Sequence, residues 1–406
     1  IFSGYTLMVL MVYFLIKFSY TYITSPFAAE ALKVPVIIPL VPYLPEIFKL
    51  DFLPPFYFTY WIIIIAVIAI PHEFAHGIFS RLNKIKIHST GFGFLGPFLA
   101  AFVEPDEKDM EKKGKFPQLS ILAAGTFANI VFTIIFGAIF WLYFASAFSP
   151  AGAIFNSYAS SVINISDINS IDGIAITDAS NIPDLLNKTS RFTEIGVKGE
   201  SEHFFVVTSN LITALENNIN KIIGIVDSPA FKAELSGAIT EINGEKVNSF
   251  EGLGEILAKY KPGDKVSIKT IGENGGVNAY EVELASSKGK AFLGIGILQP
   301  SREGVMGWIY SLISKIKDPY VYYNSGLGDL GWFIYNLLWW CVLISISVAL
   351  VNMLPIGIFD GGKFFYLSVW GLTGSKKVGE KAFKASTYLF LLLLAALMVR
   401  WLFIFI

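Results

Sequence analysis

The chain has 406 residues, of which 54% are hydrophobic, 15% aromatic and 16% charged, well to the apolar side of soluble domains. A formal net charge of −1 leaves no global electrostatic case for nucleic acid, and Cys341, the single cysteine, rules out an internal disulfide while leaving the redox compartment open. The expectation is a membrane protein with several spans and a soluble domain, in contact with a lipid bilayer and with no nucleic-acid partner.

Apolar runs long enough to cross the hydrocarbon core fall at 2–24, 56–80, 118–148, 332–354 and 386–406, predicting five helical spans. The first residue is Ile1 rather than methionine, so the first run is read as a retained helix and not judged as a signal peptide. Seven prolines lie between Ser25 and Pro55. They remove helix donors and predict an interfacial or re-entrant loop. Arg81, Lys84, Lys86, Lys108, Lys112, Lys113 and Lys115 crowd the loop between the second and third spans, which places that loop in the cytoplasm. Lys363, Lys376, Lys377, Lys381 and Lys384 before the last span agree, whereas the proline-rich loop carries only Lys33 and Lys49. Residues 150–305 are then extracytoplasmic, joined to the fourth span by the aromatic, amphipathic stretch from Gly307 to Tyr323.

An internal repeat runs through that region. Ser149-Pro150-Ala151 precedes Ile168-Asn169-Ser170-Ile171-Asp172-Gly173, and Ser228-Pro229-Ala230 precedes Ile239-Thr240-Glu241-Ile242-Asn243-Gly244. Each copy continues with a short helical stretch, Ile182–Leu186 or Leu253–Tyr260, and then strand-like alternation such as Lys265-Val266-Ser267-Ile268-Lys269. The stretch from Gly289 to Leu298 supplies a closing strand. The second copy resembles PDZ domains of membrane and periplasmic proteases, in which Ser-Pro-Ala opens a helix and Ile-Asn-Gly turns between strands. A generic small β-rich domain is the plainer alternative.

The second span contains His72-Glu73-Phe74-Ala75-His76. At about 100° per residue the two histidines lie on one helical face with Glu73 beside them. This is zincin spacing: two imidazoles for zinc and a glutamate that takes a proton from water. The alternative is a pair of packed histidines, but an ionisable group in a span is costly and calls for a partner or a function. From Phe56 to His72 the helix rises about 24 Å, which puts the pair toward the cytoplasmic side. Pro71 just before the motif should loosen or bend the helix.

A catalytic zinc usually takes a third protein ligand. Of the four histidines, His88 lies in the cytoplasmic loop and His203 in the soluble region, so an acidic residue is sought. Asp360 follows a break at Pro355 and Gly357 in the fourth span, which runs inward and should bring it to the depth of His72. A plain Asp360-Gly361-Gly362 turn is equally compatible with the residues alone.

Taken together, these motifs resemble the site-2 protease family of intramembrane metalloproteases over most of the chain. In that family a His-Glu-x-x-His helix and a later Asn-x-x-Pro…Asp-Gly helix bind one zinc ion, and one branch inserts PDZ domains between them. Carried over, the resemblance implies His72, His76 and Asp360 as zinc ligands, Glu73 as catalytic base, and Asn352 as the group holding the substrate carbonyl. Gly357 and Phe359 depart from the usual Pro-x-Leu-Asp-Gly ending. Gly91-Phe92-Gly93-Phe94-Leu95-Gly96-Pro97 resembles a membrane-associated β-hairpin that pairs with an unwound substrate strand, with a glycine-rich loop as the alternative. Ala123-Ala124-Gly125-Thr126-Phe127-Ala128-Asn129 matches a small-residue helix in which Gly125 permits close packing; Asn129 either supports the site or bridges helices.

The expected fold is thus a multi-span α-helical membrane protein with an inserted extracytoplasmic, tandem PDZ-like β-rich domain. Its parts are a transmembrane region at 1–148, a first PDZ-like domain at 149–215, a second at 216–300 and a C-terminal transmembrane region at 301–406. The expected function is zinc-dependent endopeptidase action inside the membrane on single-span substrates, whose C-termini the PDZ region binds or whose bulky ectodomains it excludes. A catalytically inactive PDZ-bearing scaffold is the competing class, and a metal transporter ranks third because the polar intramembrane groups cluster at one depth.

Overall fold

The computed structural model describes residues 1–24, 37, 40–50, 53–95, 98–176, 181–199, 203–272, 274–298, 307, 310–311 and 314–403. It divides into two compact units, Ile1–Ser146 with Asp329–Ile406, and Ala147–Gly328.

The first unit opens with helix α1, Phe2–Thr24. Of the proline-rich loop expected next, residues 37, 40–50 and 53–55 are described and include one short helical turn, Leu44–Ile47. Helix α2 spans Phe58–Leu82 and continues without interruption through Pro71, whose missing N–H leaves Val67 O without its usual helical donor. One stripe of α2 is buried at every fourth residue, from Tyr60 through Ile64, Ile68, His72 and His76 to Ser80. Ile62, Ile70, Phe74, Ile78 and Leu82 form an exposed apolar stripe, suited to a bilayer, where apolar surface carries no solvation penalty.

An antiparallel hairpin follows, strand β1 (Ile87–Leu95) with β2 (Phe98–Pro105), in a register that pairs Gly91 with Phe102. The hairpin foreseen around Gly91 and Gly93 is present; Gly96 and Pro97 lie outside the described residues. The single run expected at 118–148 is two helices, α3 (Lys115–Leu122) and α4 (Ala124–Ala147).

Two larger β-sheets and two two-stranded ones build the inserted unit. The chain enters on β3 (Phe148–Ala153) and β4 (Ser157–Tyr158), then forms β5 (Ser160–Asn164), β6 (Ile168–Ile171), β7 (Ile174–Ala175), β8 (Phe192–Val197), β9 (Phe204–Val207), helix α5 (Thr208–Glu216) and β10 (Lys221–Val226). Helix α6 (Pro229–Lys232), β11 (Ala238–Ile242), β12 (Glu245–Lys246), helix α7 (Phe250–Leu257), β13 (Lys265–Ile271), β14 (Val277–Glu283), β15 (Ala285–Ser287), β16 (Lys290–Phe292), β17 (Ile295–Gly296) and β18 (Val321–Ser325) complete it. One larger sheet runs β5-β10-β9-β8-β6-β7 and the other β14-β13-β11-β3-β18, and the two-stranded ones are β15-β16 and β17-β4. Each larger sheet has its own core, centred on Ile171, Ile195 and Leu211 in the first and on Ile239, Ile242 and Val266 in the second.

The repeat recurs as local structure. Asp172-Gly173 and Asn243-Gly244 both take positive φ, 45° and 79° in one, 47° and 85° in the other, the two-residue turn that matches the twist of a hairpin. Ser228 caps α6 by accepting from Phe231 N–H. Ser149-Pro150-Ala151 differs: it opens no helix but lies in β3 of the second sheet. A register shift opposite Pro150 accommodates its missing donor. The first sheet also extends to Val226, past the boundary expected at residue 215, because β10 pairs with β5 and β9.

The chain then returns through helix α8 (Gly328–Val351), an irregular turn, α9 (Asp360–Thr373) and α10 (Lys376–Leu402). Within the 307–323 stretch, residues 308–309 and 312–313 lie outside the described residues; its end, Val321–Tyr323, belongs to β18. Helix α10 begins ten residues earlier than the apolar run, because Ser375 caps it by accepting from Val378 N–H. Five helical stretches among the described residues are long and apolar enough to cross a membrane: 2–24, 58–82, 115–147, 328–351 and 376–402. The protein is a multi-pass membrane protein with a β-rich insertion.

Candidate metal centre

Helix α2 places His72 and His76 one turn apart on its buried stripe. Their Nε2 atoms are 3.2 Å apart. Asp360, the first residue of α9, brings Oδ2 to 3.4 Å from His72 Nε2 and 3.3 Å from His76 Nε2. The break before Asp360 is what makes this reach possible. Gly361 N–H donates to Asn352 O at 2.7 Å, and a Cβ at Gly361 would lie 2.4 Å from the Met353 carbonyl carbon. Only glycine lets the first turn of α9 lie against the turn that ends α8.

The triangle of donor atoms fits a tetrahedral metal. Ligands at about 2.0–2.1 Å from zinc stand ~3.3 Å from one another, and the three separations here are 3.2, 3.3 and 3.4 Å. Proton placement points the same way at His76. Its Nδ1 is 2.8 Å from Ile121 O, one of the last carbonyls of α3. A carbonyl only accepts, so Nδ1 holds the proton of the neutral ring and Nε2 presents a lone pair beside a carboxylate oxygen. Such lone pairs repel unless a proton or a metal ion lies between them, and a metal ion satisfies all three donor atoms at once. Gly125 completes the cradle: a Cβ there would be 2.4 Å from His76 Nε2 and 2.5 Å from His72 Nε2.

Glu73 sits beside this triangle, and its Oε2 accepts from Val103 N–H of β2 at 3.1 Å. Asn352 Nδ2 lies 3.3 Å from His72 Nε2. Asn129, 1% exposed, places Nδ2 3.0 Å from His72 Nδ1. A cleft of about 260 Å3 leads to the group between α2 and α8, walled by Ile64, Ile68, Ile344 and Val348, with His72, Glu73 and Asn352 at its polar end and Ala101 of β2 at its side.

All five residues singled out from sequence, His72, Glu73, His76, Asn352 and Asp360, therefore converge. The other two histidines do not join them. His88 Nε2 pairs with Asp106 Oδ2 at 3.2 Å at the base of the hairpin, and His203 pairs with Glu194 in the inserted unit. Among the described residues, His72, His76 and Asp360 are the group whose ligand atoms converge for a metal. Sequence reasoning missed Ile121 O and Val103 N–H, because backbone groups leave no signature in residue identity.

Comparison with known proteins agrees with this chemistry. A Xylella fastidiosa (strain Temecula1) protein carrying a zinc-metalloprotease name is 38% identical over 100 residues, 25% of this chain and 20% of that protein. The zinc metalloprotease RasP of Shouchella clausii is 27% identical over 188 residues, and that of Geobacillus kaustophilus 25% over 193. These matches cover 39% and 40% of this chain and 45% of each relative, so the aligned stretches span less than half the length of these relatives. The profile of peptidase family M50 matches residues 60–277 and 307–397, and so takes in both metal-facing helices. With well over half of its residues covered, the chain belongs to peptidase family M50, whose cofactor is zinc.

Proposed function

We propose that the chain is a zinc-dependent endopeptidase that hydrolyses a peptide bond within the membrane-spanning segment of single-span proteins. The observation that carries this reading is the placement of His72, His76 and Asp360, with Glu73 and Asn352 beside them, at the polar end of an apolar cleft. His72, His76 and Asp360 hold the metal. Zinc, when bound, supplies Lewis acidity and lowers the pKa of water to about 7.

Glu73 is the general base. Val103 N–H fixes Oε2, leaving Oε1 to take the proton from the attacking water and later deliver it to the leaving amine. Asn352 Nδ2 donates to the substrate carbonyl oxygen as negative charge builds on it. The apolar walls of the cleft exclude bulk water, which strengthens both interactions.

A helical substrate has its carbonyls engaged and must unwind before attack. Strand β2 supplies replacement bonds. Its Val103 N–H turns away from β1 toward Glu73, and residues two apart on an antiparallel strand face the same way. Ala101 thus offers its backbone to the cleft, where a substrate strand can add.

The loop charges support a site toward the cytoplasmic side and an extracytoplasmic placement of the inserted unit. We read that unit as a PDZ-like filter acting on substrate ectodomains or C-termini. The edge of β17 is already paired with β4, and Asn156 bonds both Leu298 N–H and Leu298 O. That pairing favours steric exclusion over strand addition at this edge.

The test is cleavage of a single-span substrate in detergent by the parent and by Glu73→Gln. The variant should lose roughly 10²- to 10⁴-fold in rate while keeping its zinc. Equal cleavage by both overturns the mechanism.

A further inference from the structure

We propose that Asn129 is a positioning residue for the metal centre: its side-chain carbonyl accepts the Nδ1–H of His72 and holds that ring in the tautomer whose Nε2 lone pair faces zinc. The inference rests on His72 being a ligand, as read above.

A neutral imidazole has one N–H to place. Nε2 of His72 stands 3.2 Å from His76 Nε2 and 3.4 Å from Asp360 Oδ2, so a ligating ring must carry its proton on Nδ1. The partner of Nδ1 is the Asn129 amide, 3.0 Å away through Nδ2. Two N–H groups facing each other at that distance repel. The metal-bearing site therefore requires the amide turned so that Oδ1 takes this place, an exchange that leaves the heavy-atom outline unchanged. A second observation agrees: Oδ1 is buried and accepts no hydrogen bond where it stands, so no bond to it opposes the turn.

His76 and His72 are then oriented by different means. A backbone carbonyl at the end of α3 fixes the first ring, and a side chain of α4 fixes the second. Asn129 is itself anchored, because its backbone carbonyl accepts from Ser345 Oγ of α8 at 3.0 Å and from Thr133 Oγ1 at 2.8 Å. The bond from Ser345, which is fully buried, ties α4 at this point to the helix that leads to Asn352. Outer partners of this kind set ring orientation and ligand basicity, and their loss typically weakens metal binding by about 10- to 100-fold.

The experiment measures zinc affinity by chelator competition on the purified full chain in detergent, with the melting temperature of the metal-free form read alongside. Asn129→Leu keeps the side-chain size and removes the acceptor, Asn129→Ala removes both, and Asn129→Asp keeps an acceptor oxygen. Leu and Ala variants should lose roughly 10- to 100-fold in zinc affinity, and Asp should return to within a few-fold of the parent. If the Leu variant does not fold, the Ala and Asp pair carries the same contrast. Parental affinity in the acceptor-less variants, or an Asp variant as weak as they are, overturns the inference. His72→Ala separates this from the reading beneath it: parental zinc affinity there removes His72 from the ligand set and takes the role of Asn129 with it.

Discussion

The two units of this chain differ in what they leave exposed, although both bury apolar cores. In the Ala147–Gly328 unit, Val266, Ile268 and Thr270 of β13 point inward while Lys265 and Lys269 are exposed, the alternation of a sheet with one face in water. In the membrane unit, α2 leaves Phe74 66% and Leu82 70% exposed while burying His72 and His76, and α4 buries Thr126 and Asn129. Water makes apolar surface costly and a bilayer makes polar surface costly. In the membrane unit a buried polar side chain therefore marks function more sharply than a buried apolar one, and His72 and His76 of α2, Asn129 of α4 and Ser345 of α8 are linked by successive polar contacts.

The largest effect that tests this contrast lies in the β unit. Ile239 is fully buried in the core of the second sheet, and Ile239→Ala should cost about 2–5 kcal/mol of that unit's stability through lost burial and a residual cavity. Thermal melting of the full chain reads the loss. Zinc affinity should stay parental, and a fall in metal binding comparable to the loss of stability would break the separation between the two units.

Gly125→Ala is the converse. The added methyl would sit 2.4 Å and 2.5 Å from the two Nε2 atoms, so one ring must move or the helix must shift, at about 1–3 kcal/mol. Metal analysis should find zinc affinity reduced roughly 5- to 150-fold, the equivalent of that strain, with the melting of the β unit unchanged. Parental zinc binding in this variant removes the cradle.

Much of this was legible in the sequence for physical reasons. Period and length announce the spans, because a bilayer demands long apolar runs. The i, i+4 histidines announce a shared helical face. The turns at Asp172-Gly173 and Asn243-Gly244 announce a repeat, because few residue pairs accept two positive φ values. Ser149-Pro150-Ala151 misled for an equally physical reason: proline opens helices, but it also fits a bulge, and only the pairing of β3 with β18 decides between them. Helix α9 was hidden because its start is set by the close approach of Gly361 to Met353. The grip of Val103 N–H on Glu73 was invisible because every residue but proline has an N–H.

The smallest effect concerns the base of the hairpin that holds Glu73. Asp106 accepts from Asp109 N–H at 2.9 Å and pairs with His88; the Asp109 N–H, with the His88 ring adding to it, keeps the Asp106 carboxyl below the usual carboxylate range. A carboxyl whose folded pKa lies below its unfolded value stabilises the fold at pH above the unfolded value. That contribution is lost as pH falls through the folded one. Asp106→Asn keeps a capping acceptor and removes the charge. At neutral pH the variant should therefore show slightly faster amide exchange at the ends of β1 and β2 than the parent, and the two should converge once acid has protonated Asp106. A difference that persists in acid assigns the effect to the cap rather than the charge. Because β2 carries the Val103 N–H, the same variant should lower the cleavage rate a little at neutral pH without changing zinc affinity. That pattern separates the orientation of Glu73 from the holding of the metal.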